Sequence, residues 1–224
     1  PNGELIYYSR KPKFPNKNGS KFYDIYSYDL ESEEEQRLTF DLRAFNPVFI
    51  EHDSSIAYLA TYDGGQDIYM FDLRLKNSKK ITDFKDRPMI SHLSYDKDQK
   101  KLYFDITKNH YRDIYSIDIK NENIDQLYDS PTYDERNLNA QSGGKRIHSQ
   151  DKSGIYNLYM SSLSDSASGY ITNVTGGAFM PDMSKEGKVL YSLYDGGVYS
   201  IAVLEDLFYI DDDYVGYGEE YHLN

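Results

Sequence analysis

The side chains that could carry out chemistry are scattered along the chain and do not form a recognised catalytic motif. The 224 residues include no Cys, which excludes cysteine nucleophiles, thiolate zinc sites and disulfide scaffolds. The sequence has no Gly-x-Ser-x-Gly nucleophile elbow, no His-Glu-x-x-His zinc motif and no glycine-rich phosphate loop. With 37 Asp and Glu in the chain, chance pairs of carboxylates carry no information. The sequence therefore predicts no catalytic residue and no hydrolase activity for this chain.

The five histidines are the remaining candidates for metal chemistry. His52 lies in a polar turn and His110 in a loop, His92 and His148 lie in two different kinds of predicted strand, and His222 lies near the C-terminus. A metal site needs several imidazole or carboxylate ligands that converge on one point. Because the five positions are not equivalent, the sequence predicts no metal site and no cofactor.

Net charge narrows the choice of partner. The chain carries 25 Lys and Arg against 37 Asp and Glu, for a formal net charge of -12. A surface of this sign repels the phosphates of nucleic acids and of anionic membranes. No apolar run approaches the ~20 residues that a helical membrane span requires, so we expect no membrane insertion by this chain. The net charge therefore argues against nucleic acid and anionic membrane surfaces as partners.

The sequence repeats itself with a period of 40 to 46 residues, which the spacing of three markers reveals. The first marker is the triplet at residues 24–26, 67–69, 113–115, 157–159 and 197–199, which reads Asp-Ile-Tyr in its first three copies. The second is Leu-Thr or a close variant, at residues 38–39, 81–82, 127–128 and 171–172. The third is a polar turn followed by an apolar run. We interpret the recurring Asp as an acceptor of backbone N–H bonds from the preceding turn, and its neighbouring Tyr as a packing residue.

Each period reads as a unit of four short antiparallel strands. An inner strand, such as residues 47–50 or 90–95, leads through a tight turn to a second apolar strand, such as residues 56–60 or 102–106. The third strand begins at the Asp-Ile-Tyr marker, and a short outer strand ends at the Thr. Four-stranded units of this length predict an all-β protein, specifically a β-propeller whose blades are four-stranded antiparallel sheets.

The order of these markers resembles the TolB-like or WD40-like (PD40) propeller repeat. Residues 23–30 and 66–73 are close copies of it, whereas Asn157 and Gly197 depart from the Asp of the first marker. The same repeat builds the propellers of tricorn-type and prolyl-oligopeptidase-type peptidases. The resemblance implies a non-catalytic interaction module, and a periplasmic or cell-envelope location.

The repeats divide the chain into residues 1–204, with five blades, and an acidic, Tyr-rich segment at residues 205–224. The first blade lacks an inner strand, so we expect the five repeats to be part of a larger propeller. Residues 205–224 are predicted to lead into another domain of the same polypeptide. The alternative is a closed five-blade ring, in which this segment returns to complete the first blade.

The loops before the inner strands are the predicted binding surface, because they surround the mouth of the central channel. In three of them an Arg stands beside an Asp or Asn, at comparable places in successive blades. One interpretation is a set of weak salt bridges between blades. The other is a polar ring that receives a peptide or a partner loop. The candidate binding residues are Arg43, Asn46, Asp86, Arg87, His92, Asp134, Glu135 and Arg136.

A basic insertion in the first blade, at residues 10–21, is a second candidate surface. It could be an ordinary solvated loop or a docking site for an acidic partner. Its candidate docking residues are Arg10, Lys11, Lys13, Phe14, Lys17 and Lys21.

Three functions are compatible with these features. The leading hypothesis is a protein- or peptide-binding propeller within a larger bacterial cell-envelope protein. The alternative is the substrate-gating propeller of a serine peptidase whose catalytic domain lies outside this chain. A weaker alternative is a propeller that binds glycans or processes polyuronates.

Overall fold

The computed structural model describes residues 3–50, 54–108, 110–141, 144–164 and 166–216, and within them the chain forms five antiparallel β-sheets. The first blade contains β1 (Leu5–Arg10), β2 (Asp24–Asp29) and β3 (Glu35–Arg37). The second contains β4 (Ala44–Ile50), β5 (Ser55–Tyr62), β6 (Gly65–Asp72) and β7 (Asn77–Lys80). The third contains β8 (Met89–Asp96), β9 (Lys101–Lys108), β10 (Tyr111–Asp118) and β11 (Ile124–Gln126). The fourth contains β12 (Glu135–Gln141), β13 (Lys145–Gln150), β14 (Asn157–Ser162) and β15 (Ser168–Tyr170), and the fifth β16 (Gly177–Met183), β17 (Val189–Asp195) and β18 (Val198–Leu204).

The blades follow one another around a propeller-like ring, and the predicted all-β propeller is confirmed. Every sheet is a simple antiparallel meander in which neighbours in sequence are neighbours in space. Three blades have four strands, whereas the first described sheet has no inner strand and the fifth no outer strand. The inner strands are therefore β4, β8, β12 and β16, and each packs against the next around the ring. The one helical segment in the described ranges is a short 3₁₀ turn at Asp212–Tyr214.

The hydrophobic core lies between successive blades, in four clusters rather than one. Each cluster combines side chains of two neighbouring sheets, as when Leu59 and Ile68 of the second blade pack with Ile90 and Phe104 of the third. In the second and third blades the second strand is covered on both faces, and residues 56–60 and 102–106 are buried throughout. Burial on both faces explains why these strands read as continuous apolar runs instead of alternating ones.

A cross-strand pair of rings joins the second and third strands in every blade. The Tyr of each first marker stands directly opposite another ring in the strand register, with ring centroids 4.9 to 6.0 Å apart. The pairs are Tyr8–Tyr26, Tyr58–Tyr69, Phe104–Tyr115, His148–Tyr159 and Tyr194–Tyr199. Such pairs stabilise a sheet beyond simple burial. Much of the unusual Tyr content therefore serves the scaffold.

The Asp and Thr markers form one buried hydrogen-bond network in each of three blades. In the first blade, the Thr39 hydroxyl donates to Asp24 at 2.9 Å and accepts from the backbone N–H of Ile25 at 2.9 Å. Asp24 also accepts from the N–H groups of Asp41 and Leu42 and forms an ion pair with Arg37. The Asp thus holds the turn after the outer strand rather than the turn before its own strand. The pairs Asp67–Thr82 and Asn157–Thr172 repeat the bond.

The first and last blades leave apolar side chains uncovered. On β18, Tyr199 is 70% exposed and Ile201 79%, and β1 exposes Leu5 and Ile6 by 41% and 47%. After β18 the chain turns back toward the fourth blade, where the Ile210 N–H donates to the Tyr170 carbonyl at 2.8 Å. Residues 217–224, with His222, lie outside the described residues, as does His52.

Candidate functional site

A cavity of about 540 Å³ lies where the four inner strands converge. Its lining mixes apolar side chains with an imidazole, carboxylates, an amide and an ammonium group. Its wall consists of Val48, Phe49, His92, residues 93–97, Asn139, Ala140, Met180, Pro181 and Asp182. Cavities of this size and mixed character are typical of sites that hold a small ligand or a short peptide segment. This central cavity is the candidate functional site.

A β-bulge interrupts each inner strand at the same place and shapes the cavity wall. The register breaks between Phe45 and Val48 in β4, and at the equivalent points of β8, β12 and β16. At each break one residue has a left-handed backbone, with φ between 50° and 60°. These residues are Asn46, His92, Asn137 and Met180. Asn and His tolerate this conformation better than most residues, whereas Met is not a residue type that indicates it.

His92 is the one predicted site residue that lines the central cavity. Its Nε2 lies 3.3 Å from the Leu138 carbonyl oxygen across the boundary between the third and fourth blades. The Ser94 hydroxyl donates to the same oxygen. Burial lowers the pKa of His92, so the imidazole is neutral near pH 7. His92 can therefore both donate and accept hydrogen bonds, but it adds no positive charge to the cavity.

The three predicted rim arginines do not share a position in the blades. Arg43 stands three residues before the bulged residue of its blade, Arg87 five before, and Arg136 one before, inside β12. Arg87 forms an exposed ion pair with Asp63 at 3.1 Å. Arg43 and Arg136 line different cavities, and Arg87 lines neither of them.

Arg43 and Arg136 are both held against aromatic rings. The Arg43 guanidinium lies 4.4 Å from the ring centre of Phe22, in the segment that joins β1 to β2. The Arg136 guanidinium lies 4.2 Å from the ring centre of Tyr156 and 4.7 Å from that of Phe179. Stacking of this kind fixes the plane of the guanidinium while leaving its N–H groups free to bind.

The remaining predicted rim residues have distinct surroundings. Asn46 is exposed at its bulge, and exposed Asp86 lies 4.0 Å from Lys108. Asp134 accepts hydrogen bonds from the Tyr156 hydroxyl at 2.7 Å and from the Arg112 backbone N–H at 3.0 Å.

Glu135 differs from the other rim residues because it is buried. Burial raises its pKa to about 7, and its Oε2 has no hydrogen-bond partner among the described residues.

The basic insertion adjoins Arg43 instead of forming a separate surface. Lys11, Lys21 and Arg43 line one cavity of about 390 Å³, together with Phe22, Tyr23, Phe45 and Thr61. No carboxylate among the described residues forms an ion pair with any of these three cations. This lysine–arginine cavity combines residues of the basic insertion with Arg43 of the channel-mouth loops, which the sequence analysis predicted as two separate surfaces.

The other insertion residues contribute less to that cavity. Arg10 pairs with Glu35 at 2.8 Å. Lys13 lies near the ring of Phe14, which is 73% exposed, and Lys17 is exposed.

Sequence reasoning missed two further residues near the channel mouth. Asp105 on β9 is fully buried and accepts hydrogen bonds from the Asn137 N–H at 3.1 and 3.2 Å. Burial raises the pKa of its carboxyl group to about 8. Arg112 on β10 lines a pocket with Arg136. The signal for Asp105 was present, because this Asp interrupts the apolar run of residues 102–106.

Among the described residues, no group of three His, Asp or Glu side chains is arranged so that it could hold a metal ion. Across the same ranges, no helix has the length and apolar character needed to cross a membrane.

The fold and the channel define a β-propeller domain of the type shared by TolB proteins and peptidases. Residues 29–181 match the family model described as the dipeptidyl peptidase IV (DPP IV) N-terminal region, and the chain belongs to that family. The resemblance that the repeat markers carry is thereby confirmed. No curated protein sequence matches the chain.

Solved structures of similar fold include TolB proteins and a peptidase. TolB from Acinetobacter baumannii superposes with a TM-score of 0.72 and 20% identity, over 89% of this chain and 49% of that one. A putative TolB from Agrobacterium tumefaciens gives 0.67 and 16%, over 88% and 76%. A Mycobacterium tuberculosis puromycin-hydrolyzing peptidase gives 0.68 and 9%, over 91% and 35%. The chain thus spans about half the length of the first TolB, and at these identities the likeness concerns the fold alone.

Proposed function

We propose that this chain is a non-catalytic propeller that binds a protein or peptide segment at its channel, within a larger cell-envelope protein of a bacterium. The observation that carries the proposal is the central cavity of about 540 Å³, which combines apolar walls with uncharged and charged polar groups. A mixed lining of this kind suits a peptide, whose backbone needs hydrogen bonds and whose side chains need apolar contact. The fold likeness to TolB proteins supports the envelope location.

A second candidate is the substrate-gating propeller of a serine peptidase. Membership in the DPP IV N-terminal family favours it, and a catalytic domain would then lie outside these residues. Both candidates need the same property of this chain, which is recognition of a peptide at the channel. They differ in what the rest of the polypeptide contains.

We further propose that residues 1–204 are part of a larger propeller of the same polypeptide. The support is the outer edge of β18, which pairs with no strand among the described residues, and the exposed side chains of Tyr199 and Ile201 beside it. An open edge with apolar neighbours normally pairs with another strand. In a longer polypeptide, the amide hydrogens of β18 should exchange more slowly than in this chain. Equal exchange rates would contradict the proposal.

Peptide binding is tested by calorimetry with a panel of short peptides and two matched variants. Met180 is 63% exposed and lines the cavity, whereas Leu75 is 71% exposed on the outer turn after β6. Replacement by Ala removes the same number of heavy atoms from both side chains, and Ala keeps the β-carbon and hence the backbone preference at Met180. Met180→Ala should weaken peptide binding several-fold, while Leu75→Ala leaves it unchanged. Absence of binding by the whole panel would refute the proposed function.

The lysine–arginine cavity offers a separate test of the partner's charge. Because Lys11, Lys21 and Arg43 have no ion-pair partner in the described residues, an acidic partner segment would fit there. Replacement of both lysines by Gln should then slow association with an acidic peptide and reduce its salt dependence. Unchanged salt dependence would assign the insertion to an ordinary solvated loop.

A further inference from the structure

A small pocket lies beside the channel mouth, at the junction of the third, fourth and fifth blades. It has a volume of about 230 Å³ and is separate from the central cavity over most of its wall. Its lining residues are Arg112, Arg136, Asn137, Phe179, Met180, Ser192 and Tyr199. Ligand sites usually measure about 300–1,000 Å³. This pocket is therefore large enough for one functional group of a ligand rather than for a whole ligand.

Two guanidinium groups line this pocket without a carboxylate partner. No Asp or Glu among the described residues lies within ion-pair distance of Arg112 or Arg136. Arg112 Nε lies 3.4 Å from the Thr107 hydroxyl, and Arg136 Nε is buried with no hydrogen-bond partner there. A buried donor left unsatisfied lowers stability by about 1–3 kcal/mol.

The nearby carboxyl groups do not take the place of a ligand. Asp105 is buried, and burial raises its pKa to about 8, so the group is largely uncharged at pH 7. Asp134 directs its oxygens at the Tyr156 hydroxyl and the backbone N–H of Arg112. The guanidinium N–H groups themselves thus remain available to an anion from outside.

The pocket walls restrict the chemistry of that anion. Arg136 is held in place by the rings of Tyr156 and Phe179, so its planar fork has a fixed orientation. Phe179, Met180 and Tyr199 form an apolar side next to the two charges. A planar carboxylate attached to an apolar group matches a fixed fork and an apolar wall, and guanidinium groups bind carboxylates in two directions at once.

From this geometry we propose that Arg112 and Arg136 bind the carboxylate of a peptide ligand, either its C-terminus or an acidic side chain, in the pocket between blades three, four and five. The inference rests on the proposed function, because it names the group that the peptide presents. It assigns Arg112 a binding role for which the sequence shows no signal.

The test compares three probes on the complete chain by calorimetry at pH 7. They are N-acetyl-Gly-Leu with a free carboxylate, the same dipeptide as its amide, and N-acetyl-Glu-Leu amide. The amide without an acid should bind at least tenfold more weakly than whichever acid the pocket accepts, and comparison of the two acids identifies the source of the carboxylate. Inorganic phosphate is the fourth probe. Tighter binding of phosphate than of either acid would overturn the carboxylate assignment.

Variants separate binding from packing. Arg112→Gln and Arg136→Lys should each reduce the preference for the acid over the amide to less than threefold, whereas Arg74→Gln, at an exposed arginine on the turn after β6, should leave it intact. Arg136→Lys keeps the charge, and Arg112 makes no aromatic stack, so at least one variant should fold; melting temperatures check this. If acid and amide bind equally well, only this inference fails. If no probe and no longer peptide binds, the proposed function fails as well.

Discussion

Replacement of Asp105 by Asn should make the protein markedly more stable in alkaline solution. Asp105 is fully buried on β9, and both carboxylate oxygens accept from one donor, the Asn137 N–H. Burial raises the pKa of the group from 3.8 to about 8, although the positive charges of Arg112 and Arg136 act in the opposite direction. Asn has the same shape as the protonated carboxyl group and keeps an oxygen for the Asn137 N–H.

The size of the effect follows from proton linkage. Between pH 4 and pH 8 the folded state keeps a proton on Asp105 that the unfolded state has lost, so the free energy of unfolding decreases as the pH rises through this window. Each pKa unit corresponds to about 1.4 kcal/mol. The stability difference between the Asn variant and the wild type should therefore grow by about 4 kcal/mol from pH 5 to pH 8, and then level off. Domains of this kind have total stabilities of about 5–15 kcal/mol, so the change is easily measured.

Urea unfolding at pH 5, 6, 7, 8 and 9, followed by circular dichroism, measures this difference. Asp206→Asn is the matched control, because Asp206 is exposed and should give a profile parallel to the wild type. The comparison of slopes is what matters, since any change in packing or in hydrogen bonding adds a term that does not vary with pH. Parallel profiles for Asp105→Asn and the wild type would refute the assignment of Asp105 as a neutral buried acid.

Three further predictions concern the scaffold and the absence of catalysis. His148→Phe should match the wild type at pH 8 and exceed its stability by about 2 kcal/mol at pH 5. Burial lowers the pKa of His148 from 6.5 to about 4, so protonation of this side chain below pH 6.5 favours the unfolded chain. Equal acid sensitivity of the two proteins in urea unfolding would contradict this prediction. Thr39→Val should lower the free energy of unfolding by about 1–3 kcal/mol, since it leaves the Ile25 N–H without its acceptor, whereas exposed Thr175→Val should have no effect in the same assay. The purified chain should not hydrolyse peptide or ester substrates, and turnover that survives purification and disappears with one substitution would overturn that expectation.

The fold could be predicted from the repeat because the same contacts recur within successive blades. The Asp and Thr markers recur 15 residues apart because Asp24 and Thr39 share a hydrogen bond, and the same bond recurs in the second and fourth blades. The turn whose backbone N–H groups bind to the Asp could not be predicted, because the markers show which residues recur but not which backbone groups contact them. The sequence predicted that the Tyr of the first marker is a packing residue. It did not identify the ring that the Tyr packs against, because that ring lies on the neighbouring strand and is brought opposite the Tyr by the strand register.

The geometry of the channel mouth was less accessible to sequence reasoning. The three arginines look alike in sequence, but they stand at unequal distances from the repeat markers: Arg43 is 4 residues after Thr39, Arg87 is 5 after Thr82 and Arg136 is 8 after Tyr128. Arg43 and Arg87 therefore precede β4 and β8, whereas Arg136 lies inside β12, directly before its bulged residue. Met180 takes the left-handed conformation of its bulge without any residue-type signal. Three arginines with similar sequence context therefore acquire three different environments.

The binding pocket proposed here lies where the repeats stop being alike. Directly before each bulge, one inner-strand residue faces one residue of the second strand, and in the second blade this pair is Phe45 and Leu59. In the next two blades the equivalent pairs are Ser91–Asp105 and Arg136–Ser149. An apolar pair would serve a scaffold better, because a buried Asp and an unpaired buried Arg Nε both reduce stability. The third and fourth blades carry these two groups at the position where the second blade has an apolar pair, and we expect such a local loss of stability where side chains serve binding.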